Sequence, residues 1–526
     1  MSENDNLDAA WQYHSGTKHS YQSLRMNPHS LDWENKPLLF KIYPTLEVTR
    51  LPRDFHETGV AALSAIAATN GPAEAENIPD LETLAQLLFF SAGVTRSKKH
   101  PQGETFFRAA ACTGALYEIE LYVVCTDLGG KDPAGKDLPA GAPPALPAGI
   151  YHFGVAEFGL RQLRMGDFRQ AVVEATGSDS SVAQAPVIII CSGTYWRNAW
   201  KYHSRTYRHF GWDNGTILAN LLAISAAFNL PAKIITAFVD SQVNALLGLD
   251  TKREVAFSLV PIGHMGTKPV TSPPITSLGL PLVAYSKDEV DYPAMRKMHE
   301  ASSLDSADEV VAWRGRTPLH EFPSPKGKTI PLQALGDAGF PNDSIEQVIS
   351  RRGSTRQFAR DSITLPQLST LLDRATRGIP ADFLDPLGSH LNDLYLIVNN
   401  VQGLDAGAYV YHWDRKVLEL LKPGDFRDKA GYLGLEQQIP ADAAVDVFFL
   451  TDLKKIMQRY GNRGYRAAQL EAGIVGGKLY LGAYAQRLGA SGLTFYDDDV
   501  VGFFSPHARG KSAIFLVALG HSAVRK

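Results

Sequence analysis

The chain is poor in cysteine: Cys112, Cys125 and Cys191 are the only three in 526 residues. Three cysteines cannot staple a disulfide scaffold, and no C-x-x-C pair offers zinc a site, so a reducing cytoplasm is the expected compartment. Charge of one sign is lacking as well. Lys and Arg number 52 and Asp and Glu 55, a formal net charge of -3. No global field draws the protein to nucleic acid or to an anionic membrane, so any bound anion must be held by local groups. Long apolar runs are missing too. The longest, Thr216 to Leu230, is interrupted by Asn220, Ser225 and Asn229 and stops at Pro231, too short and too polar to span a bilayer. Met1 to Ala10 is acidic and has no apolar stretch, which speaks against a signal peptide. Gly130-x-x-x-x-Gly135-Lys136 continues with Asp137 where a phosphate loop needs Ser or Thr. No dinucleotide-binding glycine motif follows a strand, and no G-x-S-x-G elbow occurs.

What is present repeats itself. Gly166-Asp-Phe-Arg169 recurs as Gly424-Asp-Phe-Arg427, 258 positions later. Tyr202-x-x-Arg205-x-Tyr207-Arg208 recurs as Tyr460-x-x-Arg463-x-Tyr465-Arg466 at the same offset, and Gly215 maps to Gly473 and Asp240 to Asp498. Such a period has the length of a whole domain, not of a solenoid unit. The expected organisation is a first domain over 1–265, an extended Pro-rich linker over 266–340 and a second domain over 341–526. The two would clasp as an intramolecular pseudo-dimer.

Local signals point to mixed structure. Asp80 caps a helix through Leu81, Leu84, Leu87 and Leu88, and Thr364-Leu-Pro-Gln367 is a capping box for its counterpart. Strands are expected at Glu120–Cys125, Val187–Cys191 and Phe257–Ile262, and again at Leu394–Val398, Val445–Leu450 and Ala513–Leu519. The segments after Gly215 and Gly473 are apolar nearly all round, or rich in small residues, and read as two buried helices in mutual contact. The linker should carry one short helix near Tyr292 to Ser302, and Leu128 to Gly149 has the composition of a mobile loop.

Two clusters carry chemistry. Arg351-Arg352-Gly353-Ser354-Thr355-Arg356 sets three guanidiniums and two hydroxyls within six residues, the donor set for a phosphate, or else a solvated basic turn. Trp200-Lys201-Tyr202, with Arg205, Tyr207 and Arg208, interleaves cations with aromatics. Such a group can stack on a planar anion or brace an interface, and the acidic balance opposes a nucleic-acid site. Cys112 is either a nucleophile or a buried small thiol. His203 and His209 are poorly spaced for a metal, and no metal is expected.

These residues resemble the nitroreductase superfamily of FMN-dependent oxidoreductases, and within it the azoline (SagB-type) dehydrogenase branch. The resemblance spans both halves and leaves out the linker. Arg351-Arg-x-Ser-x-Arg356 is similar to the family's FMN-phosphate motif. Arg108 to Tyr117, followed by Glu120–Val124, is similar to its Pro-Ser-x-Gly segment and next strand. Lys201-Tyr202 is similar to the Lys-Tyr pair of the azoline branch.

The resemblance implies an α+β fold: two tandem nitroreductase-like domains, each a mixed, largely antiparallel sheet flanked by helices. It implies FMN in the seam. The phosphate would lie on Arg351, Arg352, Ser354 and Arg356, with Arg509. The ring would be touched by Cys112, Thr113 and Gly114, with Gly492 and Arg205 beside it, and Lys201 and Tyr202 would transfer protons. Ala111-Cys112 stands where the family has Pro-Ser, the first half offers only Tyr13 to His19 as a phosphate motif, and Arg459 replaces lysine in the second half. One good FMN site and one degenerate site are therefore expected. The implied activity is hydride transfer through flavin N5. The implied routes are NAD(P)H as reductant for a small molecule, or a heterocycle in a modified peptide as the substrate; the alternatives are a flavin-free scaffold for a peptide or partner, or consumption of the flavin itself.

Overall fold

The computed structural model describes residues 3–26, 30–69, 75–100, 103–130, 142–316 and 323–523. Two antiparallel sheets organise it. In the first, the strand order is Thr49–Arg50, Gly159–Met165, Gly149–Gly154, Ile119–Cys125, Val187–Thr194 and Glu254–Ile262. In the second it is Thr329–Pro331, Val417–Pro423, Gly407–His412, Asp393–Val398, Val445–Thr451 and Ser512–Gly520, with Gly489–Leu493 added at the edge. Order and register agree between the two: Tyr122 pairs with Ile190 as Tyr395 pairs with Phe448. Every residue of Val187–Thr194 and Val445–Thr451 is buried, so both faces of the sheets are covered. That is why these strands read as unbroken apolar runs instead of alternations.

The helices expected after Gly215 and Gly473 are longer than the apolar runs suggest. They span Thr206–Ala227 and Arg463–Ala485 and are buried almost throughout. They touch backbone to backbone. A Cβ on Gly473 would stand 2.6 Å from the carbonyl oxygens of Gly211 and Trp212, and one on Gly215 would stand 2.5 Å from the Gly473 carbonyl carbon. No side chain fits there, which fixes the seam between the halves. One continuous apolar core runs through both of them, and a smaller one lies under the outer face of the first sheet.

Polar groups lock the seam twice. Asp497, from the second half, takes Arg208 at 2.6 Å and Arg205 at 3.0 Å. Asp240, from the first half, takes Arg463 at 2.7 Å and Arg466 at 2.8 Å. The counterpart of Asp240 is therefore Asp497, not Asp498 as the unbroken offset suggested; Asp498 instead reaches Lys18 at the surface. The N-terminal residues also cross over: Asn462 N–H donates to the Asn4 carbonyl at 2.7 Å and Arg463 N–H to Asn4 Oδ1 at 2.7 Å.

Both caps form. Asp80 accepts from Thr83 N–H at 2.8 Å, and Thr364 and Gln367 make the reciprocal box. The linker carries two helices, Pro293–Ala301 and Ala307–Arg314, where one was expected. The second starts on a Ser306 cap and buries Trp313 completely. Of the loop expected between Leu128 and Gly149, residues 131–141 lie outside the described part. No helix among the described residues is long and apolar enough to cross a membrane.

Candidate functional site

The 351–356 segment starts where helix Ile345–Arg351 ends, against the first half. Helices Ala62–Ala67 and Ile345–Arg351 face each other: Ala62 N–H donates to the Asp343 carbonyl at 3.0 Å and Ile345 N–H to the Val60 carbonyl at 3.1 Å. The first-half position matching 351–356 therefore follows Ala67 and contains no arginine. Tyr13 to His19 does not hold it. That stretch ends another helix, Asp8–Gly16, and its Thr17 hydroxyl accepts from Arg208 at 3.0 Å.

The three arginines divide their tasks. Arg351 pairs with Asp343 at 2.6 Å and caps the Tyr484 carbonyl. Arg352 is buried, and its fork donates to the carbonyls of Ala109 and Arg108, both at 2.8 Å. Burial lowers its pKa. It tethers the Cys112 segment to the second half. Arg356 is exposed and meets no carboxylate among the described residues. The half-buried Lys201 ammonium, also without a carboxylate among them, is pushed down first by burial and then by Arg356 and Lys36. Arg96, on the hairpin formed by Val94–His100 and Gly103–Arg108, approaches the same turn: its Nη2 lies 3.9 Å from where a Gly353 Cβ would be. The motif alone did not reveal this arginine, because it comes from the other half.

Behind the cations, Ser354 Oγ is 3.3 Å from the Tyr480 hydroxyl, which accepts the Gly492 N–H. Gly492 stands in the edge strand Gly489–Leu493, and the next residues are Thr494 and Phe495. Arg205 lies against the rings of Phe495 and Trp212, at 5.5 and 5.9 Å from their centroids. His209 packs on Trp212 at 4.8 Å and on Tyr202 at 4.7 Å. Polar atoms in this group are orphaned: Nε and Nη2 of Arg205, Nε2 of His209 and Oγ1 of Thr494 are buried without a partner. Burial holds Arg205 down at about 10 and pushes His209 well below the usual imidazole range. Unpaired buried polar atoms gathered in this way suit a polar ligand that completes the hydrogen bonding.

Cys112, Thr113 and Gly114 lie against Tyr202 and Asp213. Gly114 has φ of +64°, and a Cβ there would meet the Tyr202 hydroxyl at 2.9 Å. Thr113 N–H and hydroxyl both donate to Asp213, at 2.9 Å. Cys112 Sγ sits 3.3 Å from Asp213 Oδ2 and 3.4 Å from Glu118 Oε2. The donor atoms of these three residues lie within 4.8 Å of one another, a trio not foreseen from the sequence. Burial, then Asp213 and Glu118, raises the thiol pKa, which favours the bland reading of Cys112 over a nucleophile. Burial, then Glu118, raises the Asp213 carboxyl well above the usual carboxylate range. The single carboxylate of a buried helix was the available signal. The space enclosed behind Cys112 is about 10 Å³.

Arg509 is not brought to the motif. It precedes strand Ser512–Gly520, whose far end meets Thr355 through Ser522, and nine extended residues span about 30 Å. Its neighbours His507 and Lys511 line a different cavity, entirely within the second half and the linker.

Residues 349–520 match the model of the Nitroreductase family. The protein named "Putative nitroreductase MJ1384" of Methanocaldococcus jannaschii is 26% identical over 166 residues, covering 30% of this chain and 81% of its own. A crystal structure of a "putative nitroreductase" from Anabaena variabilis aligns over 98% of this chain and 99% of that one, with a TM-score of 0.75 and 24% identity. In sequence through its second half, and in fold along its whole length, this chain is similar to nitroreductases.

Proposed function

We propose that the protein is an FMN-dependent oxidoreductase with one cofactor site, in the seam between its halves. The observation that carries this reading is the set of orphaned buried polar atoms on Arg205, His209 and Thr494, beside cations without a carboxylate partner among the described residues. The residues fit FMN at both ends. Arg356, Ser354 and Arg96 would take the phosphate, and Gly492, Thr494 and Arg205 would face the ring. When bound, FMN supplies two-electron hydride chemistry. This chain's own part is to hold charge and protons. Arg205 offers a fixed positive charge where a reduced ring turns anionic. Tyr202 is kept protonated by burial, so its hydroxyl can donate a proton, and Lys201 stands 5.2 Å from its ring.

Several features support one site over two. The Arg-rich turn has no arginine counterpart after Ala67, and the position matching Tyr202 is tied to the linker: Trp313 packs on Tyr460 at 5.3 Å and donates to its carbonyl at 2.7 Å. The pairing of a family-matching second half with a like-folded first half supports a fused duplication with domains 1–265 and 341–526. The substrate we propose is a small molecule or a peptide heterocycle, with NAD(P)H as an alternative electron source.

A flavin-free scaffold for a peptide or partner is the second reading. One observation favours it: Tyr202 stands tight over Gly114, and the enclosed space behind Cys112 holds at most a water. Purification separates the two. A yellow protein absorbing near ~450 nm with about one releasable FMN per chain supports the enzyme. A colourless protein whose melting temperature FMN leaves unchanged supports the scaffold.

A further inference from the structure

The halves differ most where the second half is hollow. In the first half, the ground between strands Ile119–Cys125 and Gly149–Gly154 and helix Tyr195–Tyr202 is filled. Glu120 pairs with Arg197 at 2.6 Å and with His152 at 2.8 Å, and Lys41 Nζ donates to the Tyr122 hydroxyl at 2.7 Å. Two rings from neighbouring segments close the space. Tyr43 packs on His152 at 5.3 Å, and Tyr285 lies over the Arg197 guanidinium at 4.8 Å. These segments run side by side: Leu38 N–H donates to the Tyr285 carbonyl at 2.8 Å and Val283 N–H to the Ile42 carbonyl at 3.1 Å.

In the second half the same frame surrounds a cavity of about 410 Å³. Strand register matches Asp393 to Glu120 and Tyr395 to Tyr122, and helix position matches Lys455 to Arg197. All three line the cavity. An ammonium is again present, now from Lys511, 2.6 Å from Asp393. His507 Nδ1 holds the Tyr395 hydroxyl at 2.9 Å. Among the described residues, the two rings of the first half have no equivalent inside. A shelf replaces them at the wall: His390 and Trp413 stack with centroids 4.1 Å apart and planes 12° from parallel. Lys326, which makes no ion pair among the described residues, stands on the lining.

We propose that this cavity binds a planar aromatic acid, its ring in the place that Tyr43 and Tyr285 occupy in the first half. The ring lies between the His390–Trp413 shelf and the Lys455 ammonium, which repeats the Tyr285–Arg197 arrangement. The carboxylate meets Lys326 and His507. A volume of 410 Å³ suits one or two fused rings.

The test is calorimetric titration of the full chain with 4-hydroxybenzoate and with cyclohexanecarboxylate, which has the same charge and no aromatic ring. Saturable one-to-one binding of the aromatic acid is expected, with the alicyclic acid at least about tenfold weaker. Lys455→Met and Lys326→Met should each weaken binding about tenfold at unchanged melting temperature, and Lys455→Arg should restore it. Arg356→Ala should leave this binding intact, which separates it from the flavin site. Absence of binding up to about 10 mM, equal affinity for both acids, or indifference to both lysine changes would overturn the proposal.

Discussion

Asp497 closes on Arg208 at 2.6 Å across the seam, and Asp240 makes the mirror contact with Arg466 at 2.8 Å. Each half thus contributes the one carboxylate that bridges the other half's buried arginine pair. Removing one partner strands charge in the interior. Asp497→Ala should cost about 3–5 kcal/mol in denaturant unfolding. A loss below about 1 kcal/mol would mean that solvent reaches these arginines.

The pH dependence of this clasp follows from the carboxyls. Burial alone would raise Asp240, but Arg463 and Arg466 outweigh it and hold it at about 2. A depressed carboxyl stabilises fully above the unfolded value of about 3.9 and loses that contribution as pH falls toward 2. Melting temperature measured from pH 5 to pH 2 should fall less steeply in Asp240→Asn, from a lower starting point.

Glu471 should show the opposite sign. It occupies the core-helix position matching Asp213 and accepts the N–H groups of Leu391 and Asn392 at 2.9 Å. Burial pushes its carboxyl up to about 7. A raised carboxyl favours the fold below the unfolded value of about 4.3, and that advantage fades as pH rises to 7. Glu471→Gln should therefore flatten the decline of stability between pH 5 and pH 8, by about 2–4 kcal/mol across the range. Parallel curves for the two proteins would show that Glu471 is ionised throughout.

The flavin reading makes its own demands. Arg356→Ala should weaken FMN binding about 10- to 100-fold, the loss of one charge-assisted phosphate contact. Lys201→Ala should keep the flavin and slow turnover. Fluorescence titration with FMN and steady-state rates check the two separately. An unchanged FMN affinity in Arg356→Ala would remove that anchor.

Much of this was legible before any coordinate. The constant offset of 258 exposed two like halves, and Asp80 and Thr364 announced their helices through local hydrogen bonds. What stayed hidden depends on contacts between distant segments. The offset misassigned Asp240 because a one-residue slip between the halves leaves both Asp497 and Asp498 eligible, and only the arginines choose. Helix Ala62–Ala67 was missed because short alanine-rich segments carry little periodicity. Arg351, Arg352 and Arg356 look alike in sequence, yet one is spent on Asp343, one on carbonyls of the other half, and one is left exposed. Arg509 looked like a fourth phosphate ligand until the strand between it and the motif gave the distance.

The bare glycines at the helix crossing have a further consequence. Each core helix presents a stripe, Gly211–Gly215 and Gly473–Gly477, that only its sister can cover. A chain cut within residues 317–322 and produced as two pieces should therefore yield partners that find each other in the cell, because neither piece has another mate for that stripe. The crossing would then act as the recognition element of a split protein, and widening it with Gly473→Ala should dissolve the pair before it unfolds either piece.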